Sequence, residues 1–293
     1  MTLNLSNKEL TQIPNLNDIN LIKSYGFNSP SEIIDLDLSY NQITHIENLD
    51  SLLNLKRLYL QHNQIIQIEN LESLQNLQEL YLNENKIRQI KNLNSLVNLK
   101  RLYINKNKIS RIENLESLLN LKLLFLNENK ISKIENLESL HNLQILCLCE
   151  NKISKIKNLD SLVNLHELYL NENKILRIEN LDSLRNLNIL NLQNNKITQI
   201  EKLNSLWNLQ ILNLCENNIN QIENLNLLQN LIMLDLTNKF YYGSELRQFI
   251  DNQTATAPFK CASTSVDDLV SLSDVQLLNT NNSRLSKFLK MFK

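Results

Sequence analysis

The side chains with the most chemistry to offer are four histidines, His45, His62, His141 and His166, and four cysteines, Cys147, Cys149, Cys215 and Cys261. A catalytic nucleophile needs a base within hydrogen-bond reach and an acid that orients the base. The histidines fall in different copies of a repeated segment and share no recurring arrangement with Ser, Cys or a carboxylate, so each reads as a variant at a variable surface position. Cys147-x-Cys149 offers two thiols to a metal, but no second Cys or His pair stands at ligand spacing. Cys149 and Cys215 share a column three copies apart, roughly 14 Å at about 4.8 Å per strand. That is too far for a disulfide. Unpaired thiols fit a reducing compartment, cytoplasm and/or nucleus, with Cys147, Cys149 and Cys215 expected on an exposed strand face. The two glycines, Gly26 and Gly243, are too far apart for any glycine-rich phosphate loop. No catalysis, cofactor or metal is expected.

What does recur is an asparagine every 22 residues: Asn41, Asn63, Asn85, Asn107, Asn129, Asn151, Asn173, Asn195 and Asn217. Each sits in the frame L-x-x-L-x-L-x-x-N-x-I, the first copy opening with Ile33. Leu80 and Leu82 of one copy lie two residues apart and share one face of a short strand, leaving Glu79, Tyr81 and Asn83 on the other. From Ile87 the apolar step becomes three, through Ile90, Leu93, Leu96 and Leu99, which keeps one side buried on a tight or 3-10-like return path. The apolar side chains of one copy cannot offset the entropy of ordering it, so copies must stack, strand beside parallel strand. The spacing predicts an α/β repeat solenoid with about ten parallel concave strands and short 3-10 or helical convex segments. The periodic asparagine is expected to satisfy backbone groups at the turn after each strand, as an internal amide ladder. Asparagines before each strand (Asn54, Asn76 and their equivalents to Asn230) and serines three residues earlier (Ser51 to Ser205) read as turn and cap chemistry.

Aligned by period, the strand positions that face away from the core form columns. The central column runs Asp37, Tyr59, Tyr81, Tyr103, Phe125, Cys147, Tyr169, Asn191, Asn213 and Asp235. The column two residues earlier becomes apolar in its second half, with Leu123, Ile145, Ile189 and Ile211. The column before the ladder asparagine is mostly acidic, with Glu84, Glu128, Glu150 and Glu172. Aromatic anchors, an apolar patch and a charged rim have the composition of a protein-binding face. A competing account is duplication, in which the tyrosines copy one template residue and answer to no ligand. Acids beside the aromatics would repel phosphates, so nucleic acid is not expected.

The frame resembles the leucine-rich-repeat superfamily. The stretches IENLESLQNLQELYLNENKI (68 to 87), IENLESLLNLKLLFLNENKI (112 to 131), IENLESLHNLQILCLCENKI (134 to 153) and IENLDSLRNLNILNLQNNKI (178 to 197) are similar to the 22-residue repeats of the protein phosphatase 1 regulatory subunit type. The resemblance implies a horseshoe and a regulatory subunit that takes a phosphatase catalytic subunit in its concave face. The same repeat class resembles axonemal dynein light chains and tubulin-folding cofactors, which implies a cytoskeletal scaffold as the second reading. Bacterial internalins share the period, so a microbial effector or adhesion protein is the third. Tyr241, Tyr242 and Leu246 echo the tyrosine-containing helix that follows the phosphatase-type arrays, while the L-P-x-L-x-x-L-D stretch that comes next in them is missing.

Both glycines and all three prolines lie outside Glu32 to Lys239, which marks the array at 33–238. Residues 1–32 are expected to cap the first leucine layer, with a degenerate turn and a short helix over 17–25 stopped by Gly26. At Lys239 the ladder position is lost, and 239–293 reads as a capping helix over 244–251 followed by a partly loose helical tail. The last segment, SRLSKFLKMFK, has an apolar side that suits folding back on the array, a partner helix or an acidic surface. A formal charge of −1 over 293 residues gives no bulk attraction to nucleic acid or anionic membrane. No apolar run reaches the roughly 18 residues of a membrane span, and the start lacks the pattern of a secretory signal. The chain is expected to be monomeric before it meets its partner.

Overall fold

The computed structural model describes residues 1–222, 225–236 and 239–253. All belong to one compact unit. Each L-x-L segment becomes a short strand: β2 (Asp35–Asp37), β3 (Arg57–Tyr59), β4 (Glu79–Tyr81), β5 (Arg101–Tyr103), β6 (Leu123–Phe125), β7 (Ile145–Cys147), β8 (Glu167–Tyr169), β9 (Ile189–Asn191), β11 (Ile211–Asn213) and β13 (Met233–Leu236). These are the ten expected strands. They pair in parallel with the 22-residue period as their register, for example Leu58 with Leu80 and Leu80 with Leu102. Two more strands extend the sheet, β1 (Thr2–Asn4) at one edge and β14 (Lys239–Tyr242), running antiparallel, at the other, to make twelve. On the return path β10 (Gln199–Ile200) and β12 (Gln221–Ile222) form a separate parallel pair.

The core is the leucine and isoleucine frame. Leu80, Leu82, Ile87, Ile90, Leu93, Leu96 and Leu99 are all fully buried, and the same positions of neighbouring coils continue one hydrophobic cluster along the array. The return path tightens by single i to i+3 bonds, Leu96 N to Leu93 O at 3.0 Å and Leu99 N to Leu96 O at 2.9 Å. Among the described residues only Leu225–Leu227 on these return paths, and Pro30–Glu32 before the first repeat strand, form 3-10 helices.

From Tyr40 to Lys202 each coil turns two corners in left-handed backbone without glycine. One follows the strand, as at Glu84 (φ 56) and Glu150 (φ 52); the other lies on the return path, as at Asn92 (φ 57) and Asn114 (φ 57). Asparagine tolerates this region better than glutamate does. At the second corner Asn70, Asn92, Asn114, Asn136, Asn158 and Asn180 also donate Nδ2 to a carbonyl of the previous coil, as Asn114 does to Ile90 O at 2.7 Å. This row went unread in the sequence, although it carries the same period.

The expected ladder is present, but it runs through backbone and not from amide to amide. Asn85 Oδ1 accepts from Ile65 N at 2.9 Å, and its Nδ2 reaches Leu60 O at 2.9 Å and Leu82 O at 3.1 Å. The row before each strand does more than cap its own turn: Asn98 Nδ2 donates to Gln75 O of the preceding coil at 2.9 Å, and Asn54 to Asn230 repeat this. The serine column departs from its expected role. Ser51 Oγ donates to Leu16 O, whereas Ser73 Oγ and Ser117 Oγ are buried and reach no partner.

At the N-terminal end α1 spans Ile19–Ser24, with Asp18 accepting from Asn20 N at 2.8 Å and Gly26 (φ +85) just beyond its end. The expected degenerate turn proves to be a coil with its own strand. Leu3 pairs with Leu36, an offset of 33 that a search at 22 does not find. At the other end β14 folds back on β13 and α2 (Gly243–Gln253) follows, burying Tyr241, Leu246 and Ile250. The antiparallel strand was not expected, and the helix extends the expected one. The expected loose tail lies outside the described residues.

Candidate protein-binding face

The face of β2 to β13 opposite the leucine core carries the three columns. In its first half Tyr59, Tyr81, Tyr103 and Phe125 are half-buried and stack ring on ring, with centroids 4.6, 4.5 and 4.8 Å apart. That spacing is close to the strand separation, so in-register strands impose the stack. The rings are ordered before any ligand arrives, which removes part of the entropic cost of binding. Paired charges brace them. Arg57 contacts Asp35 at 2.6 Å, Arg101 contacts Glu79 at 2.6 Å, and Tyr81 Oη donates to Glu79 Oε2 at 2.8 Å. The Arg57 hydrogen bond holds the Asp35 carboxyl below its ordinary range. Burial, then the bond to Glu79, raises the Tyr81 phenol, and burial raises Tyr103. These tyrosines stay neutral donors at physiological pH.

The second half differs from expectation. Tyr169, Ile189 and Ile211 are buried, as are Cys147, Cys149 and Cys215, so the patch exposed to water is smaller than the sequence suggested. Leu123 and Ile145 remain half-buried. Cys147 lies in register between the larger rings of Phe125 and Tyr169, and Ile189 lies beside Ile211, which lies beside Met233. Tyr169 Oη donates to Glu167 Oε2 at 2.9 Å. Asn191, Asn213 and Asp235 complete this column, all buried. Asn213 Oδ1 accepts from Cys215 N, while Asp235 Oδ1 has no hydrogen-bond partner. Burial, with Glu216 as a second cause, lifts the Asp235 carboxyl to about 7.

The column before the ladder asparagine forms one rim. Tyr40 stacks on His62 at 4.1 Å, His62 Nδ1 lies 3.0 Å from Glu84, and Lys106 reaches Glu84 at 3.6 Å and Glu128 at 3.7 Å. Beyond Lys106 the rim is acidic. Burial, then Glu128 and Glu172, raises the Glu150 carboxyl.

The sulfurs of Cys147 and Cys149 lie 3.3 Å apart, and their contact, then burial, raises the Cys149 thiol. Among the described residues no group of three or more His, Cys, Asp or Glu is placed to hold a metal ion. His62 belongs to the rim, His141 Nδ1 lies 3.3 Å from Ser161 O, and His45 Nδ1 contacts the neighbouring Thr44. His45 also lines an open groove of about 780 Å³ on the flank, with Thr44, Glu47 and Lys86. Among the described residues no helix is long and apolar enough to cross a membrane.

The family described as leucine-rich repeats in two copies matches residues 75–117 and 163–205. The crystal structure of an internalin, InlF, from Listeria monocytogenes str. 4b F2365 is 31% identical, covering 71% of this chain and 68% of that one, with a TM-score of 0.59. The chain is a leucine-rich-repeat protein. No curated protein matches it. Leucine-rich-repeat proteins are in general non-catalytic binding scaffolds.

Proposed function

We propose that this leucine-rich-repeat protein is a non-catalytic adaptor or regulatory subunit that takes a protein partner on its concave face. The observation that carries the reading is the four-ring stack from Tyr59 to Phe125, flanked by neutralised ion pairs and by the half-buried Leu123 and Ile145. Ordered aromatic rings beside apolar side chains suit an interface core, and the glutamate rim suits its border. Tyr169, Ile189 and Ile211 belong to the same face and are buried in the protein on its own.

Two finer readings follow from different likenesses. The repeat wording supports regulation of protein phosphatase 1, with residence in cytoplasm or nucleus, a setting that the undisulfided thiols of Cys147 and Cys149 favour. The similarity to an internalin supports an effector or adhesion protein of a microbe. Affinity capture from a lysate of the source organism, with Tyr81→Ala/Phe125→Ala as the control, separates them. Recovery of a phosphatase catalytic subunit by the wild type alone favours the first. Saturable binding of the labelled protein to intact cell surfaces favours the second. Tubulin or dynein in the capture returns the scaffold reading, and equal yield from the double variant removes the aromatic ridge from the interface.

A further inference from the structure

Charge is balanced in one half of the concave face and unbalanced in the other. Among β2 to β5, Arg57, Arg101 and Lys106 each contact a carboxylate. From β6 onward the strands and the corners that follow them, 123–128, 145–150, 167–172, 189–194, 211–216 and 233–236, contain no Lys or Arg. Among the described residues Glu150, Glu167, Glu172, Glu216 and Asp235 form no ion pair. Glu150, Glu172 and Glu216 are exposed.

A row of acids alone reads as a solvated rim. Asp235 makes it more than that: it is 3% exposed, its Oδ1 has no partner, and it feels the charge of Glu216 on the adjoining coil. A buried carboxylate without a partner is costly and calls for a cation or a proton.

Resting on the concave-face reading above, we propose that the β6 to β13 half docks a cationic, partly apolar segment of the protein partner. Its ammonium or guanidinium groups pair with Glu150, Glu172 and Glu216, and its apolar side chains meet Leu123 and Ile145. A cation held at Glu216 also offsets the buried charge of Asp235.

The test is fluorescence anisotropy with the full chain and a labelled eleven-residue peptide of alternating lysine and leucine as the probe. Binding is expected, with Glu150→Lys/Glu172→Lys weakening it by at least about tenfold and the charge-matched Glu116→Lys/Glu138→Lys on the exposed return path leaving it within about twofold. Where charge reversal disturbs the far-UV spectrum, Glu150→Gln/Glu172→Gln carries the test with an expected loss of about threefold or more. Equal affinity for an alternating glutamate and leucine peptide, or insensitivity to both acidic variants, overturns the proposal. If the probe fails while Tyr81→Ala/Phe125→Ala still loses captured partner, only the cationic reading falls. If both fail, the concave face falls with it.

Discussion

Asn85 donates Nδ2 to the Leu60 carbonyl one coil back at 2.9 Å, inside a core where both residues are shielded from water. The same bond recurs from Asn63 to Leu38, Asn107 to Leu82 and onward to Asn217 with Leu192. The ladder asparagine is therefore a staple between neighbouring coils.

Asn107→Leu keeps the branched side-chain shape and removes the staple, leaving Ile87 N without its side-chain partner, while Leu82 O and Ile104 O each lose one of two amide donors and keep Asn85 Nδ2 and Asn129 Nδ2. At about 1–3 kcal/mol for the one buried donor left unsatisfied, the expected loss is roughly 1–3 kcal/mol. The midpoint of urea unfolding should fall accordingly. An unchanged midpoint would show that the ladder is dispensable.

Ser73→Ala should do the opposite of harm. Its hydroxyl is buried without a partner, so removing it relieves an uncompensated desolvation of about 1 kcal/mol or less net. Equal or slightly higher urea resistance is expected; clear destabilisation would mean that the hydroxyl has a partner.

The leucine frame was legible because every copy repeats it and burial leaves those positions little freedom. Strand positions, register and the ladder column all followed from it. Asn70 to Asn180 went unread because their job depends on a left-handed corner, and backbone handedness leaves only a weak trace in residue type. β1 was hidden by its offset of 33, and β14 by lacking any repeat. On the concave face residue types and columns were readable, but depth was not. Burial of Cys147, Ile189 and Ile211 is set by three-dimensional packing around each position, which residue type and column do not encode.

Lys202 stands where the earlier coils have the corner asparagine, in left-handed backbone at φ 55. Lys202→Asn should relax that corner and place an amide facing the previous coil, raising stability by up to about 1 kcal/mol. Thermal or urea unfolding reads it. A lower midpoint would show that the lysine side chain contributes more than the strain it imposes.

The Asp235 carboxyl titrates at about 7 in the native protein, above an unfolded value near 3.9. Below roughly pH 4 it is protonated in both states. Between about 4 and 7 the native state holds more protons than the unfolded chain, so stability falls as pH rises, and above 7 the loss is complete. Asp235→Asn does not titrate. The variant should match the wild type near pH 4 and exceed it above pH 7, by no more than about 4 kcal/mol. Parallel stability curves for the two proteins would contradict the assignment.

The central claim is that the stacked rings of the concave face touch the partner. A benzoylphenylalanine crosslinker in place of Tyr81, and separately in place of Val97 on the outer return path, reports contact directly when each protein is irradiated in lysate of the source organism. The account requires a discrete adduct from position 81 and none from position 97. Adducts from position 97 alone, or the same adducts from both, would contradict it.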